Sequence, residues 1–234
     1  MMENPLESHA LFHIGPVPVA ESVVVTWALM ALLVLGAALA TRRLALSPSK
    51  GQVVLEMLVS MVDDLIRDTM NRDPAPFRAL IGTLLVFVLV ANWSGLLPGV
   101  EPPTSHLETD AALALVVFIA TIAYGIRARG LGGYLATFAE PSWVMIPLNV
   151  IEQITRAFSL MVRLFGNVMS GVFIAAIVLS LAGLLVPIPF MALDLLTGAI
   201  QAYIFAVLAT VFIGAAAGEG AAAPPADTNN TKDP

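Results

Sequence analysis

The nine residues 159–167, SLMVRLFGN, place Arg163 inside an apolar run that extends from residue 143 to residue 183. A permanent cation at bilayer depth is costly, so an arginine in such a run indicates a functional residue with a partner. As one helix the run would measure about 60 Å, roughly twice the thickness of the hydrocarbon layer. We therefore expect this helix to be strongly tilted, kinked or broken, with Pro141 and Pro147 as natural places for a break.

The composition is typical of an integral membrane protein. Of the 234 residues, 58% are hydrophobic and 12% are charged, and the mean hydropathy is +0.88. The chain has no cysteine, which excludes disulfides and cysteine-based metal or redox sites. The net charge of −6 provides no basic surface for nucleic acid, and no Gly-rich loop ends in Gly-Lys-Ser/Thr to bind a nucleotide. We expect no cofactor, no metal and no nucleic-acid partner.

Apolar segments long enough, or nearly so, to enter a bilayer predict an all-α membrane protein with five membrane-entering helices. They span residues 22–41, 79–97, 110–126, 143–183 and 188–217. Residues 143–217 are expected to form a long tilted hairpin within a single membrane domain, residues 1–217. Residues 218–234 lack hydrophobic periodicity and are expected to be a disordered tail. Residues 1–21 contain no Lys or Arg, so we expect no cleavable signal peptide and a retained first helix.

The cations of the connecting segments predict an orientation, because Lys and Arg favour cytoplasmic loops. The second loop, residues 98–110, carries three acids and no cation. We therefore place the N-terminus outside the cytoplasm and the C-terminus inside it. The cations of the first and third loops are Arg42, Arg43, Lys50, Arg67, Arg72, Arg78, Arg127 and Arg129.

Residues 47–72 contain an amphipathic helix between the first and second spans. Val53, Met57, Met61 and Leu65 recur at helical spacing, and acidic residues occupy the opposite face. This pattern predicts either a cytoplasmic helix on the membrane surface or a soluble helix packed on other protein.

Polar residues on the fourth segment recur at steps of three and four, which places them on one helical face. The opposite face is apolar and is expected to be compatible with lipid; it includes Ile154, Leu160, Leu164, Val168, Val172 and Ile174. A polar helix–helix interface is the alternative for the serines and the asparagine. Glu152 and Arg156 have the spacing of a local ion pair. The polar strip consists of Glu152, Arg156, Ser159, Arg163, Asn167 and Ser170.

A second polar strip lies on the last segment, where Asp194, Thr197 and Gln201 interrupt an otherwise apolar helix. Two such strips in an antiparallel hairpin are expected to face a common space. A buried carboxylate can exchange a proton at physiological pH, which suits Asp194 to a relay. The Arg163 guanidinium stays charged, so it acts as a barrier to cations, unless it forms a structural ion pair with Asp194.

The motif Ser-Leu-x-x-Arg-Leu-Phe-Gly-Asn at residues 159–167, followed by QAYIF at residues 201–205, resembles the signature of the a subunit of F-type ATP synthases. Residues 92–99, NWSGLLPG, are similar to the end of an earlier helix in that family. The order of the five segments agrees as well. The resemblance covers roughly residues 20 to 217.

The resemblance implies a non-catalytic stator subunit in a bacterial inner membrane, beside a ring of c subunits and with b-type peripheral stalk subunits. H⁺ or Na⁺ would pass through two half-channels, and ATP chemistry would belong to other subunits. Arg163 would be the essential gating arginine, which displaces the ion from each arriving ring carboxylate. Asn167 and Gln201 would support it and line the path, and we assign Ser159, Ser170, Thr197 and Asn92 to the same path.

The chain departs from the family at Val172, where many members carry Glu or His. We infer that Asp194 replaces this relay acid from the neighbouring helix. His106, Glu108 and Asp110 could collect protons at the mouth of the path or belong to a solvated loop. Two other readings of the chain stay open: a self-contained secondary ion or solute transporter, for which internal repeats are missing, and a purely structural membrane scaffold.

Overall fold

The computed structural model describes residues 10–14, 17–42, 50–96, 100–139, 142–182 and 187–218. A two-stranded antiparallel hairpin precedes the helices, with strand β1 at Ala10–Ile14 and strand β2 at Val17–Ala20. Short 3-10 turns lie at Ser94–Leu96, Pro103–Ser105 and Trp143–Met145. The α-helices are α1 (Glu21–Thr41), α2 (Lys50–Met70), α3 (Ala75–Trp93), α4 (Leu107–Phe138), α5 (Ile146–Ala182) and α6 (Pro187–Ala217).

The predicted all-α membrane architecture is confirmed. Among the described residues, five helical stretches are long and apolar enough to cross a membrane: Ser22–Thr41, Ala75–Leu96, Leu107–Phe138, Trp143–Leu181 and Ile188–Ala217. The small β-hairpin was not predicted, and it lies before the first of these stretches. Residues 1–9, Arg43, residues 183–186 and the predicted tail from residue 219 onward lie outside the described residues.

The third predicted segment is much longer in the structure than its apolar run. Helix α4 continues past residue 126 to Phe138 and includes Arg127 and Arg129. At Gly130 the backbone adopts φ 73° and ψ 166°, which breaks the helical path. Glycine takes up this conformation without the steric cost of a side chain. The residues after Gly130 therefore leave the direction of the first part of α4.

The long fourth segment is one continuous helix. Pro147 is the second residue of α5, where a proline is tolerated because the first-turn N–H groups have no intrahelical acceptor. The break expected at Pro147 is thus confined to the start of the helix, and Pro141 lies outside the described residues. At 37 residues, α5 is about 55 Å long, so it still exceeds the bilayer core.

The core lies between α3, α4, α6 and one face of α5. Helix α6 contributes a column of fully buried and mostly small residues, Ala202, Phe205, Ala206, Ala209 and Ile213. Small residues allow helix backbones to approach closely, which strengthens packing where lipid provides no hydrophobic driving force. This column fixes α6 as the central helix of the bundle.

The face of α5 that was expected to be compatible with lipid is only partly exposed. Leu160, Leu164 and Val168 are at most 4% exposed and pack towards the core, so the expectation is wrong for these three residues, whereas Ile154, Val172 and Ile174 are exposed. Because the helix buries its apolar stripe in the bundle, its polar strip is left on the surface of the molecule. In particular, the side chains of Ser159, Arg163 and Ser170 are exposed.

Helix α2 packs on this chain through its second half only. Val62 and Ile66 are buried, and Arg78 at the start of α3 donates two hydrogen bonds to Asp63, Nε to Oδ1 at 2.5 Å and Nη2 to Oδ2 at 2.6 Å. This hydrogen bond holds the pKa of the Asp63 carboxyl below its usual value. Val54 and Met57 in the first half stay 65% and 69% exposed, which leaves an apolar face for the membrane surface.

Candidate ion-path site

Arg163 lies near the middle of α5, on the outer surface of the bundle. Among the described residues, no carboxylate lies within 4.0 Å of its guanidinium and no hydrogen-bond acceptor contacts it. The structural ion pair with Asp194 is therefore not formed. A cation at this depth needs a counter-charge, and in the described part of the chain none is in contact with it.

The two charged residues at the start of the polar strip do form the ion pair that their spacing predicts. Arg156 donates to Glu152 one turn earlier. The Arg156 guanidinium also lies 5.4 Å from the centre of the Phe212 ring, a cation–π distance. Both interactions hold Arg156 in place on the chain itself, in contrast to Arg163.

Two helices of the hairpin enclose a cavity of about 150 Å³. We call it the hairpin cavity; its polar lining consists of Asn167, Ser170, Asp194 and Thr197. The structure thus brings together members of both predicted polar strips. Ser159 and Gln201 do not line this cavity. Its volume is sufficient for several water molecules, each of which occupies about 30 Å³ in the liquid.

A second cavity, of about 170 Å³, lies at the end of the bundle that carries the connection between α3 and α4. We call this end the loop end and the cavity the loop cavity. Its lining includes Asn92, Glu101, Val172 and Asp194. Because Asp194 borders both cavities, its carboxylate lies where the two spaces adjoin. Val172 and Asp194 face the same cavity, as the exchange of a relay acid between α5 and α6 requires.

Gly171 explains how Asp194 fits between the helices. A Cβ atom at position 171 would overlap the Asp194 carboxylate, so the absence of a side chain creates the space that the acid occupies. No donor among the described residues hydrogen-bonds to this carboxylate; the Thr197 hydroxyl donates instead to the Asp194 backbone carbonyl, at 3.1 Å. The carboxylate is thus free to bind an ion or a water molecule.

Asn92 both lines the loop cavity and fastens α3 to α6. Its Nδ2 donates to the Gly198 carbonyl at 2.9 Å, and its Oδ1 accepts a hydrogen bond from Thr104 Oγ1 at 2.8 Å. Trp93 Nε1 donates to the Leu195 carbonyl at 3.1 Å. Thr104 was missed from the sequence because its segment reads as a loop, and only the polar Asn92 on the preceding helix could have indicated a partner.

Asn167 and Gln201 were expected to support Arg163, but neither hydrogen-bonds to it in the described structure. Gln201 is 6% exposed and turned into the core. The Nδ2 atom of Asn167 and the Nε2 atom of Gln201 are buried without a hydrogen-bond partner among the described residues. Both amides therefore keep an unused donor inside the bundle.

The acids near the connection between α3 and α4 occupy different environments. His106 Nε2 lies 3.5 Å from Glu101 Oε2, and Glu108 is exposed, as a solvated mouth would require. Asp110, however, is not in a loop: it belongs to the first turns of α4 and is completely buried. The predicted loop of residues 98–110 is wrong over its last part, since a 3-10 turn begins at Pro103 and α4 at Leu107.

Comparisons with known proteins agree on one family. The family model described as ATP synthase A chain matches residues 23–214. "ATP synthase subunit a 2" of a Bradyrhizobium species is 58% identical over 218 residues, covering 93% of this chain and 98% of the relative. "ATP synthase subunit a" of Albidiferax ferrireducens is 46% identical over 197 residues, covering 83% and 85%. "ATP synthase subunit a 1" of Hahella chejuensis is 40% identical over 215 residues, covering 92% of each.

Proposed function

Since the chain belongs to the ATP synthase A chain family and is a multi-pass Fo subunit of a bacterial F-type ATP synthase, we propose that it forms two ion half-channels against a ring of c subunits. In this proposal it is the stator that couples the passage of H⁺ or Na⁺ to rotation of the ring. The other partners are the lipid bilayer and b-type peripheral stalk subunits.

One observation supports this proposal above the others: Arg163 is exposed in the middle of a spanning helix, and no acid of the described residues pairs with it. An unpaired cation facing lipid would be strongly unfavourable. The observation is explained if a carboxylate of the rotating ring passes this surface. Arg163 then favours the ionised form of that carboxylate and prevents a cation from crossing directly between the half-channels.

The cavities suggest the course of one half-channel. An ion enters at the loop end, near Glu101, passes the loop cavity and reaches Asp194. From Asp194 the hairpin cavity continues to Asn167 and Ser170 on the exposed strip, where the ring carboxylate takes up the ion. The connection between α3 and α4 carries acids and no cation, so we place the loop end and the N-terminus outside the cytoplasm.

The proposal is tested by Arg163→Ala in the complete ATP synthase. We expect the variant to assemble and to lose both ATP synthesis and ATP-driven ion pumping, because the ring carboxylate keeps its ion and the half-channels are no longer separated. The matched control is Arg67→Ala, which removes a largely exposed arginine of α2 and should leave coupling unchanged. Retention of coupled pumping in Arg163→Ala would overturn the proposal.

A further inference from the structure

Asp110 is the most deeply buried acid in the described part of the chain. Its residue exposure is 0%, and neither Oδ1 nor Oδ2 has a hydrogen-bond partner among the described residues. The residue lies in the first turn of α4, where the helix N-terminus favours a negative charge but gives its carboxylate no hydrogen bond among the described residues. An ionised carboxylate without hydrogen bonds is strongly disfavoured in such a place. A carboxyl group persists there when it carries a proton, or when water or a cation can reach it.

The 3-10 turn that packs on α4 carries a buried polar side chain. Thr104 is fully buried and donates to Asn92, which in turn donates to the Gly198 carbonyl of α6. Asn92 also lines the loop cavity. A hydrogen-bonded chain thus leads from this cavity towards the segment that carries Asp110.

Helices α4 and α6 both start at the loop end, so their residues descend into the bundle in the same direction. Gln201 lies three residues below Gly198, or about 4.5 Å further in. Asp110 lies about one turn below the 3-10 turn that holds Thr104. The two side chains therefore lie at similar depth in one core. Among the described residues, Gln201 Nε2 is a buried donor without an acceptor, and the Asp110 carboxylate is a buried acceptor without a donor.

Among the described residues, no other charge is paired with Asp110. The titratable and charged groups on the elements packed against α4 are Glu152, Arg156 and Arg163 on α5, Asp194 and Tyr203 on α6, and Glu101 and His106 next to the 3-10 turn; α4 itself carries Glu108, Tyr124, Arg127, Arg129 and Tyr134. None of them forms an ion pair or hydrogen bond with the Asp110 carboxylate in the described structure. Any negative charge that forms on Asp110 must therefore be compensated by a mobile proton.

We infer that Asp110 is a second proton-exchanging acid of the half-channel at the loop end. It takes up a proton from water on the side of the Thr104–Asn92 chain, so that an O–H bond forms on its carboxylate. It then releases this proton to water on the side of Gln201 and Asp194, which restores the carboxylate. This inference rests on the proposed function, because it assigns a step to the same ion path.

The test uses the complete ATP synthase with Asp110→Asn, which retains size and polarity but cannot ionise, and with Asp110→Ser as a second neutral variant. Asp64→Asn is the control, because it removes a mostly exposed acid of α2 that lies outside the proposed path. Proton flux through Fo is measured in vesicles after removal of the soluble sector, over a range of pH in the compartment that faces the loop end. We expect both neutral variants to lower the flux by at least about tenfold and to flatten its pH dependence, while Asp64→Asn retains both.

The outcomes separate this inference from the proposed function. If Arg163→Ala loses coupling while Asp110→Asn conducts as the unmodified protein does at every pH, only the inference about Asp110 is overturned. If the Asp110 variants lower the flux but leave the shape of the pH profile unchanged, or if neither assembles while Asp64→Asn does, Asp110 is a structural acid and the inference is again overturned. Normal coupling in Arg163→Ala would instead remove the proposed function.

Discussion

The fold places two ionisable side chains of neighbouring helices in opposite environments. They are Asp110 of α4 and Arg163 of α5. Ala111 and Met161 line one shallow groove between these helices, so the acid and the arginine lie at comparable depth. The acid is enclosed in the core and the arginine is turned outward. Since a carboxyl group can be neutralised by a proton and a guanidinium cannot, only the arginine requires a counter-charge from outside the chain.

At the same scale, Gly171→Ala should impair ion conduction. The added methyl group would overlap the Asp194 carboxylate and displace it from the junction of the two cavities. A displacement of about 1 Å can lower a transfer rate by roughly a hundredfold. Proton flux through reconstituted Fo is the measurement. Gly36→Ala in α1 is the control, since a Cβ there meets no atom within 4 Å, and equal flux in the two variants would contradict the prediction.

The relay role of Asp194 gives a prediction with a built-in rescue. Asp194→Asn should slow proton conduction strongly, because an amide cannot exchange the proton, and adding Val172→Glu should restore part of it. The rescue is expected because both positions line the loop cavity. ATP-driven pumping of the single and double variants measures the effect. Normal conduction in Asp194→Asn would refute the relay role, and absence of rescue would leave the exchange between helices unsupported.

At the scale of elements, two kinds of interaction hold helix α2 on the bundle. One is the ion pair between Asp63 and Arg78, and the other is the apolar packing of its second half. Arg78 reaches across from α3 to Asp63, while the first turns of α2 expose Val54 and Met57. The two alternatives for this helix therefore apply to different halves. The second half packs on protein, which is this chain itself, and the first half retains the apolar face expected of a surface helix.

Asp63→Asn should loosen α2, because it removes the charge that Arg78 binds. Since the pKa of Asp63 is lowered in the folded protein, its contribution is present at neutral pH and is lost as the pH falls through this lowered value. We expect hydrogen-exchange protection factors in α2 to fall severalfold at neutral pH and to lose this acid dependence. Asp64→Asn is the control. Asp64 is mostly exposed, and its ion pair with Arg67, at 3.4 Å, lies within α2 and does not join α2 to another helix. Equal protection in both variants would argue against the bridge.

The helices themselves could be predicted from the sequence, but not the surfaces that they present. The spacing of Asn167, Ser170, Asp194 and Thr197 was sufficient to predict that the two strips meet. The side of α5 that packs inward could not be predicted, because lipid and core are both apolar and Leu160 suits either. The burial of Asp110 could not be predicted either. A short polar segment with several acids and prolines is typical of a loop, and only tertiary packing buries this acid.

At the scale of the whole molecule, the hairpin surface is incomplete in the isolated chain. Arg163 and its neighbours on the strip are exposed, and the described residues contain no counter-charge for the arginine. The proposed half-channels would each end at this surface. Ion transfer should therefore require the ring as well as this subunit.

Purified chain reconstituted alone in vesicles should accordingly catalyse no solute-dependent flux, whereas vesicles that contain the chain together with the c ring and the stalk subunits should conduct H⁺ or Na⁺. Dye-based proton flux and sodium tracer uptake measure both cases. Vesicles with the ring alone serve as the control for leakage. Solute-dependent flux from the chain alone would favour the self-contained transporter instead.

The column of small, fully buried residues on α6 has a mechanical consequence. A rotating partner would exert a lateral load on α5, most of whose surface is free, and α5 alone is a long rod that could bend. Along Ala202, Ala206 and Ala209, however, α6 packs against the other helices with no gap in which it could shift. Such a load would be carried through α6 into α3 and α4, so that the hairpin would be stiff in the direction of the thrust.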